Sequence, residues 1–343
     1  MSRAFVTGLA GLTLTADERT FLRDAEPWGL ILFKRNIDTP EQVRRLVSEG
    51  RAAAGRNVPV LVDQEGGRVQ RLGPPHWPAY PPAAAFGRLY DRDRAGGLEA
   101  ARLGARLIAA DLQALGLDVD CLPVADVPVA GADRVIGDRA YGDTAEKVGA
   151  VAGAAADGLL AGGVLPVVKH MPGHGRATAD SHEKLPVVSA ARDLLEATDF
   201  QSFRLLARLP LGMTAHVVFT SLDPDAPATT SAIMIRQVIR ESIGFAGALM
   251  SDDISMGALS GTLAERTRRA IAAGCDLVLH CNGSLDEMRA VAAEAPALAG
   301  AAAERTNAAL AARRKPAEID MPAARARFAA LMDLATDTRE PVS

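Results

Sequence analysis

Cysteine is scarce in this chain, which carries three cysteines in 343 residues. Cys121, Cys275 and Cys281 form no C-x-x-C pair, and an odd number of cysteines does not suit a framework of disulfides. Free thiols of this kind are typical of a reducing compartment. We therefore expect three buried thiols and a cytoplasmic protein.

Long apolar runs and an excess of charge of one sign are also missing. No segment approaches the roughly 18 uninterrupted apolar residues of a membrane-spanning helix. The start of the chain, with one positive charge and an interrupted apolar run, is unlike a secretory signal. Lysine and arginine total 38 against 42 for aspartate and glutamate, and no long basic run could follow a phosphate backbone. We expect neither a membrane nor a nucleic acid as partner, and the 48% hydrophobic content is that of a globular protein.

What the sequence does contain is a series of short apolar runs. There are eight of them: 4–8, 29–33, 59–63, 118–123, 164–170, 211–217, 247–252 and 276–281. Most are separated by longer segments that suit amphipathic helices, and a repeated strand–helix pattern implies parallel strands buried on both faces. Eight repeats predict an α/β fold, a single (β/α)8 TIM-type barrel over residues 1–343 with its active site at the C-terminal ends of the strands. The competing interpretations are a doubly wound open sheet and a pair of average-sized domains.

Two helices have well-defined ends in the sequence. Thr39 is placed as an N-cap, with Pro40 at the first helical position and Gln42 three residues after the cap. A second helix, through Leu98–Leu115, is predicted to end at the glycine that follows it. The segment from about 304 to 343 is predicted to form C-terminal helices and a polar tail, to which we assign no function.

Titratable side chains lie at or near the C-terminal ends of several of the eight runs. They are Asp63, Asp126, Lys169, His170, His216, Asp252, Asp253 and His280. The C-terminal ends of barrel strands meet at one mouth, where enzymes of this fold build their active sites. Three of the six histidines also fall in two neighbouring segments, KHMPGHG at 169–175 and DSH at 180–182. This density of proton-handling groups predicts an enzyme.

An aspartate–histidine pair and an aspartate doublet carry most of the expected chemistry. Asp180 could fix the tautomer of His182, which could then donate a proton to a leaving group and take one from water. Taken alone, such a pair is more often part of a solvated loop. Asp252 follows an apolar run, where a carboxylate can attack an electrophilic carbon. Asp253 is expected to be structural, as the N-cap of a following helix or as a support for its neighbour.

Arginines follow the glycine pair at 66 and 67, and another lies at 139. The guanidinium groups of Arg68, Arg71 and Arg139 could orient sugar hydroxyls, carboxylates or phosphates, although an arginine in a loop is more often part of a surface ion pair. The two glycines form no phosphate-binding loop, because neither G-x-G-x-x-G nor the Walker pattern is present.

Four motifs together closely resemble those of the NagZ-type β-N-acetylglucosaminidases of glycoside hydrolase family 3. They are DQEGGRVQR at 63–71, KHMPGHG at 169–175, DSH at 180–182 and SDD at 251–253, in the family's order. The resemblance extends from about residue 4 to about residue 290 and implies a single catalytic barrel. The chain departs from the family at Met171, where phenylalanine is usual.

The resemblance implies a role for each matching residue. Asp252 would be the nucleophile, and His182 with Asp180 would be the acid/base pair on a mobile loop. Five further residues would hold the N-acetylglucosamine: Asp63, Arg71, Arg139, Lys169 and His170. The family's substrates carry N-acetylglucosamine β-1,4-linked to 1,6-anhydro-N-acetylmuramic acid, with or without peptide, and are recycled in the cytoplasm. The resemblance thus implies a muropeptide-type carbohydrate as the substrate, no cofactor or metal, and a monomer.

We hypothesise a retaining double displacement, and several alternatives stay open. Phosphate could replace water as the acceptor, or the acetamido oxygen of the substrate could replace Asp252 as the nucleophile. Lys169 could form a Schiff base, as in an aldolase, or the barrel could bind a sugar without catalysis. A zinc-dependent amidohydrolase could use four side chains as ligands: His170, His174, Asp180 and His182.

Overall fold

A closed barrel of eight parallel strands forms the centre of the structure, a computed structural model that describes residues 2–336. The strands are β1 (Arg3–Gly8), β2 (Pro27–Leu32), β3 (Val60–Val62), β4 (Val119–Asp120), β5 (Leu165–Met171), β6 (Leu211–Thr214), β7 (Ala248–Asp253) and β8 (Leu277–His280). Each pairs with its neighbour in sequence, and β8 closes the barrel against β1. The predicted (β/α)8 barrel is therefore confirmed, because each apolar run coincides with one strand.

The strands are apolar on both faces because both faces are buried. Val6 and Ile31 pack with residues of the other strands inside the barrel. Their neighbours Phe5 and Leu30 belong instead to the apolar layer that includes the surrounding helices. This two-sided burial is what parallel strands covered by helices require, and it explains why the runs do not alternate with polar residues.

Helices cover the outside of the barrel. Within residues 2–336 the α-helices are α1 (Ala16–Ala25), α2 (Pro40–Ala54), α3 (Ala83–Arg92), α4 (Arg94–Gln113), α5 (Ala145–Ala161), α6 (Arg192–Ala197), α7 (Asp199–Leu205), α8 (Leu263–Ala273), α9 (Leu285–Glu294), α10 (Gly300–Ala311) and α11 (Met321–Thr336). Between β6 and β7 the chain forms a π-helical segment, Met234–Ser242.

The helix ends follow the capping chemistry of the sequence. In α2 the hydroxyl of Thr39 accepts a hydrogen bond from the amide of Gln42 at 3.2 Å, as predicted. Helix α4 begins at Arg94, before the predicted Leu98, because the carboxylate of Asp93 caps it. This cap was not predicted from the sequence.

The C-terminal helices end the described part of the chain. Phe328 of α11 lies beside Phe86 of α3, with ring centroids 6.2 Å apart, and Arg325 forms an ion pair with Asp111 of α4 at 3.1 Å. The predicted polar tail includes residues 337–343, which lie outside the described residues, and the single domain over 1–343 stays a prediction. No helix within 2–336 is both long enough and apolar enough to cross a membrane.

The register brings the C-terminal ends of neighbouring strands to one level. Val62 lies opposite Leu32 on one side and Asp120 on the other, and Met171 lies opposite Thr214. The loops that follow the strands therefore surround a single mouth, which is where the fold places an active site.

Candidate active site

A cavity of about 460 Å³ lies at the C-terminal ends of the strands. Its walls include all eight of the predicted site residues: Asp63, Arg71, Arg139, Lys169, His170, Asp180, His182 and Asp252. These residues are far apart in sequence and meet because parallel barrel strands end at one mouth. A larger cavity, of about 810 Å³, lies at the opposite end of the barrel beside α10 and contains none of the eight.

Asp63, directly after β3, accepts hydrogen bonds from two cations. Lys169 Nζ lies 2.9 Å from Oδ1, and a guanidinium nitrogen of Arg71 lies 2.9 Å from Oδ2. Burial acts to raise the pKa of Asp63, but the charges of Lys169 and Arg71 outweigh it and hold that pKa well below the ordinary value. The carboxylate is therefore ionised and fixed in orientation.

Glu65 is a second buried carboxylate beside Asp63, and the sequence analysis gave it no role. Arg139 binds it in a bidentate manner, with both nitrogen–oxygen distances 2.8 Å, and Lys169 Nζ lies 2.6 Å from Oε1. Bidentate pairing holds the guanidinium plane in one orientation. Arg139 lines the cavity, so Glu65 positions a group at the cavity wall.

Asp126 links two histidines of the KHMPGHG segment. Its Oδ2 lies 2.7 Å from Nδ1 of His170, and its Oδ1 accepts the backbone amide of His174 at 2.6 Å. Desolvation acts to raise the pKa of Asp126, but His170 and His174 hold it below the ordinary value. An acceptor of this kind assigns the proton of His170 to Nδ1 and leaves Nε2 for the cavity.

Asp252 lies on β7, and its side chain reaches the cavity. One of its oxygens accepts the backbone amide of Asp253 at 2.8 Å. Burial acts to raise the pKa of Asp252, but His170 and this amide hold it below the ordinary value. The carboxylate is therefore ionised at neutral pH, which is the form that can act as a nucleophile.

His216, at the end of the β6 run, supports the same strand. Its Nε2 lies 2.9 Å from the carbonyl oxygen of Asp253, so Nε2 carries the proton, and Nδ1 then accepts from the hydroxyl of Thr229 at 2.7 Å. Burial lowers the pKa of His216, and the ring is neutral. The histidine thus fixes the backbone next to Asp252 without itself reaching the cavity walls.

Asp253 lies at the cavity wall, and its carboxylate makes structural contacts. Its carboxylate accepts the hydroxyl of Ser255 at 2.6 Å and the amide of Cys281 at 3.1 Å. The expectation that it caps a helix is wrong, because a turn follows it and α8 begins at Leu263 with Thr262 as its cap. The carboxylate instead ties the end of β7 to the end of β8.

The aspartate–histidine pair lies on the loop after β5. Nδ1 of His182 donates to Oδ1 of Asp180 at 2.7 Å, and the same oxygen accepts the backbone amide of His182 at 2.9 Å. Desolvation acts to raise the pKa of Asp180, but these hydrogen bonds hold it below the ordinary value. The ionised carboxylate fixes the imidazole so that Nε2 is free to exchange a proton with a molecule in the cavity.

The ligands of the zinc alternative are not gathered around one point. Within residues 2–336, no three histidine, cysteine, aspartate or glutamate side chains are placed to hold a metal ion. His170 is bonded to Asp126 and His182 to Asp180. The Schiff-base alternative also fits poorly, because Asp63 and Glu65 outweigh the effect of burial and raise the pKa of Lys169, which stays an ammonium ion.

Comparison with known proteins decides the family. The model of the glycosyl hydrolase family 3 N terminal domain matches residues 7–313. The chain belongs to glycosyl hydrolase family 3. A β-hexosaminidase of Alkalilimnicola ehrlichii is 42% identical to this family 3 chain over 279 residues, which is 80% of this chain and 79% of that protein. A β-hexosaminidase of Idiomarina loihiensis is 35% identical over 302 residues, 87% of this chain and 90% of that protein.

Solved structures agree with this assignment. NagZ from Neisseria gonorrhoeae, in complex with N-trifluoroacetyl-D-glucosamine, matches with a TM-score of 0.81 and 32% identity, and the match covers 98% of each chain. The NagZ-type resemblance is confirmed, and this family 3 enzyme is a glycoside hydrolase of the β-N-acetylhexosaminidase class.

The family 3 site also contains contacts that the sequence analysis missed. The position of Asp126 just past an apolar run placed it near the mouth of the barrel. Its hydrogen bonds to two histidines could not be predicted from the spacing of these residues in the sequence. Cys281 corrects an expectation: it is only partly buried and lines the cavity, whereas Cys121 and Cys275 are buried. All three thiols are free.

Proposed function

We propose that this family 3 enzyme is a retaining, exo-acting β-N-acetylglucosaminidase. It removes terminal β-linked N-acetylglucosamine from peptidoglycan fragments, such as N-acetylglucosamine joined to 1,6-anhydro-N-acetylmuramic acid, during cell-wall recycling. One observation carries the proposal: the ionised Asp252 carboxylate and the Asp180–His182 pair line the same cavity. A nucleophile and a proton donor that face one space are the two groups that a retaining glycosidase needs.

The first step forms a covalent glycosyl-enzyme. An oxygen of Asp252 bonds to the anomeric carbon while the bond from that carbon to the leaving oxygen breaks. Nε2 of protonated His182 gives its proton to the leaving oxygen, and Asp180 stabilises the imidazolium through Nδ1. Retaining enzymes ordinarily use a carboxylic acid as the donor, so the histidine depends on Asp180 for orientation.

The second step releases the sugar. Water gives a proton to Nε2 of neutral His182, its oxygen bonds to the anomeric carbon, and the bond from that carbon to Asp252 breaks. The free carboxylate and the protonated histidine are regenerated. Two inversions leave the product in the β configuration.

The other predicted residues hold the sugar. Asp63 presents an ionised acceptor whose orientation is set by Lys169 and Arg71, and Arg139 presents donors whose plane is set by Glu65. Charged groups that are already held in place lose little freedom when a ligand binds. The three free thiols support a reducing compartment such as the cytoplasm, which is where soluble muropeptide fragments would be recycled.

Proton NMR of the first-formed sugar tests the proposal. The purified enzyme is given an aryl β-N-acetylglucosaminide in phosphate buffer, and the anomeric signal is followed before mutarotation. We expect β-N-acetylglucosamine to appear first. The α-anomer as first product would contradict a double displacement, and N-acetylglucosamine 1-phosphate would show that phosphate replaces water.

Covalent trapping identifies the nucleophile. A fluorinated N-acetylglucosaminyl donor that forms the glycosyl-enzyme faster than it is released should add one sugar mass to the peptide that contains Asp252. If the acetamido oxygen of the substrate were the nucleophile, the enzyme would turn over without any labelled peptide.

A further inference from the structure

The loop segment that carries the proposed acid/base pair is attached through its middle residue. Ser181 is 3% exposed, whereas the side chain of His182 is 65% exposed. The hydroxyl of Ser181 lies 3.1 Å from Nε2 of His174, which is also 3% exposed. In the segment 180–182, Asp180 and His182 therefore lie at the cavity surface. The buried side chain of Ser181 attaches the segment to the body of the protein.

His174 is well placed to serve as that anchor. Its backbone amide is bonded to Asp126, which also holds His170. Within residues 2–336, Nδ1 of His174 has no hydrogen-bond partner. The hydroxyl of Ser181 is thus the one side-chain hydrogen bond of this imidazole, and a buried ring nitrogen without it would be left unsatisfied.

A second attachment joins the segment to the strand of the nucleophile. The amides of Gly257 and Ala258, in the turn after β7, donate to the carbonyl oxygens of His182 and Ser181, both at 3.2 Å. A Cβ at position 257 would lie 2.9 Å from the carbonyl oxygen of His182 and 2.9 Å from that of Glu183. The close approach of the two backbones therefore requires glycine at this position.

We propose that Ser181 and His174 are positioning residues, which together with the turn at Gly257 hold His182 over the cavity at a fixed place relative to Asp252. The proposal rests on the proposed role of His182 as the general acid. The hydrogen bond between His174 and Ser181 attaches the loop to the segment that follows β5. The turn at Gly257 attaches the loop to the segment that follows β7. Ser181, His174 and Gly257 are not among the residues that line the cavity, so both attachments act through the position of His182.

This arrangement predicts a specific kinetic effect. A general acid must lie within hydrogen-bond reach of the leaving oxygen, and a misplacement of about 1 Å can reduce the rate by roughly 10²-fold. The loss should fall on substrates whose leaving group needs the proton. Substrates with an activated leaving group depend little on the acid and should be almost unaffected.

The test is the variant Ser181→Ala, assayed with two aryl β-N-acetylglucosaminides. We expect kcat/KM for the phenyl glycoside to fall roughly 10- to 100-fold, while kcat/KM for the dinitrophenyl glycoside changes by less than about threefold. Ser221→Ala is the matched control. It also removes a serine hydroxyl, which donates an exposed hydrogen bond of 2.8 Å to the carbonyl oxygen of Ala190. Equal losses with both substrates would indicate a merely structural role and overturn the proposal.

A double-mutant cycle supplies the second readout. In a His182→Ala background, Ser181→Ala should cause no further loss with the phenyl glycoside, because the group it positions is gone. Losses that multiply in the double variant would overturn the proposal. If the loss caused by His182→Ala does not depend on the leaving group, the proposed function fails. If the loss depends on the leaving group in His182→Ala but not in Ser181→Ala, only the positioning role fails.

Two further variants approach the same segment by other routes. His174→Gln removes the imidazole that bonds to the hydroxyl of Ser181. Gly257→Ala displaces the loop from the side of β7, because the added Cβ would lie too close to the loop backbone. Both should reproduce the dependence on leaving group that Ser181→Ala shows. Thermal unfolding of each variant separates an unfolded protein from a misplaced loop.

Discussion

Lys169 Nζ lies 2.9 Å from Oδ1 of Asp63, and the same ammonium group contacts Glu65 at 2.6 Å. One cation from β5 thus forms ion pairs with two carboxylates that follow β3. The side chain of Lys169 is 3% exposed, so water contributes little to screening the three charges. A change at Lys169 should therefore affect the stability of the barrel as well as the proposed binding of the substrate.

Replacing Lys169 with Met should destabilise the protein. Asp63 and Glu65 would keep one arginine each, Arg71 and Arg139, but would lose the cation between them. Removal of one partner from a buried ion pair costs about 3–5 kcal/mol. Urea denaturation should show a loss of that size. Lys34→Met, at an exposed position, should change stability by less than about 0.5 kcal/mol, and equal stability of the two variants would contradict the proposed electrostatic role.

Glu65 should make the protein sensitive to acid. Burial acts to raise its pKa, but Lys169 and Arg139 outweigh burial and lower that pKa to about 2 from 4.5. A carboxyl group with a depressed folded pKa stabilises the fold above its unfolded pKa, and this contribution is lost as the pH falls through the folded pKa. The difference in Tm between the wild type and Glu65→Gln should therefore be largest above pH 4.5 and shrink towards pH 2.

The matched control for this comparison is Glu41→Gln. The side chain of Glu41 is 75% exposed and forms an ion pair with Arg44 on the same helix. Its Tm should follow that of the wild type at every pH. A constant Tm difference for Glu65→Gln across the range would show that the buried carboxyl contributes by shape and not by charge.

Much of the barrel could be predicted from local pattern. The run 59–63 ends at Asp63, and burial on both faces makes such a run continuous in apolar residues. Eight runs of this kind imply closure, and closure brings their C-terminal ends together. The eight predicted site residues line one cavity for this reason.

The remaining contacts depend on geometry that a single sequence does not contain. Glu65 lies on a short strand, Gln64–Gly66, and Arg139 lies in a 3-10 helix, Gly137–Arg139, and no periodicity relates the two residues. Asp253 was expected to cap a helix, but its carboxylate joins β7 to the end of β8. The sequence pattern alone cannot distinguish a helix cap from such a contact between strands. The hydrogen bond between His174 and Ser181 likewise depends on how the loop folds back over β5.

Replacing Asp252 with Ala or Asn should abolish turnover. Both changes remove the ionised oxygen that we propose as the nucleophile, and Asn keeps the shape of the side chain. Loss of a covalent nucleophile reduces kcat by on the order of 10⁴-fold or more. Steady-state assays on a dinitrophenyl glycoside measure the effect, with Asp225→Ala at an exposed position as the control. Retention of one-tenth of the wild-type kcat in Asp252→Asn would exclude Asp252 as the nucleophile.

Cys281 should be the one thiol that reacts in the native protein. It is partly exposed at the cavity wall, whereas Cys121 and Cys275 are buried. Burial, with Asp253 and Asp63, raises the pKa of the Cys281 thiol well above its ordinary value, and the thiolate is the reactive form. Iodoacetamide should therefore label Cys281 slowly at pH 7 and faster as the pH rises.

Occupation of the cavity should protect this thiol. N-acetylglucosamine bound between Asp63 and Asp252 would cover the wall that contains Cys281. Peptide mass spectrometry should therefore show slower labelling when the sugar is present, and loss of activity should follow labelling at Cys281. A Cys281→Ser variant should resist inactivation by the reagent. Labelling of Cys121 or Cys275 at a similar rate, or an absence of protection by the sugar, would place the ligand elsewhere and contradict the assignment of this cavity as the substrate site.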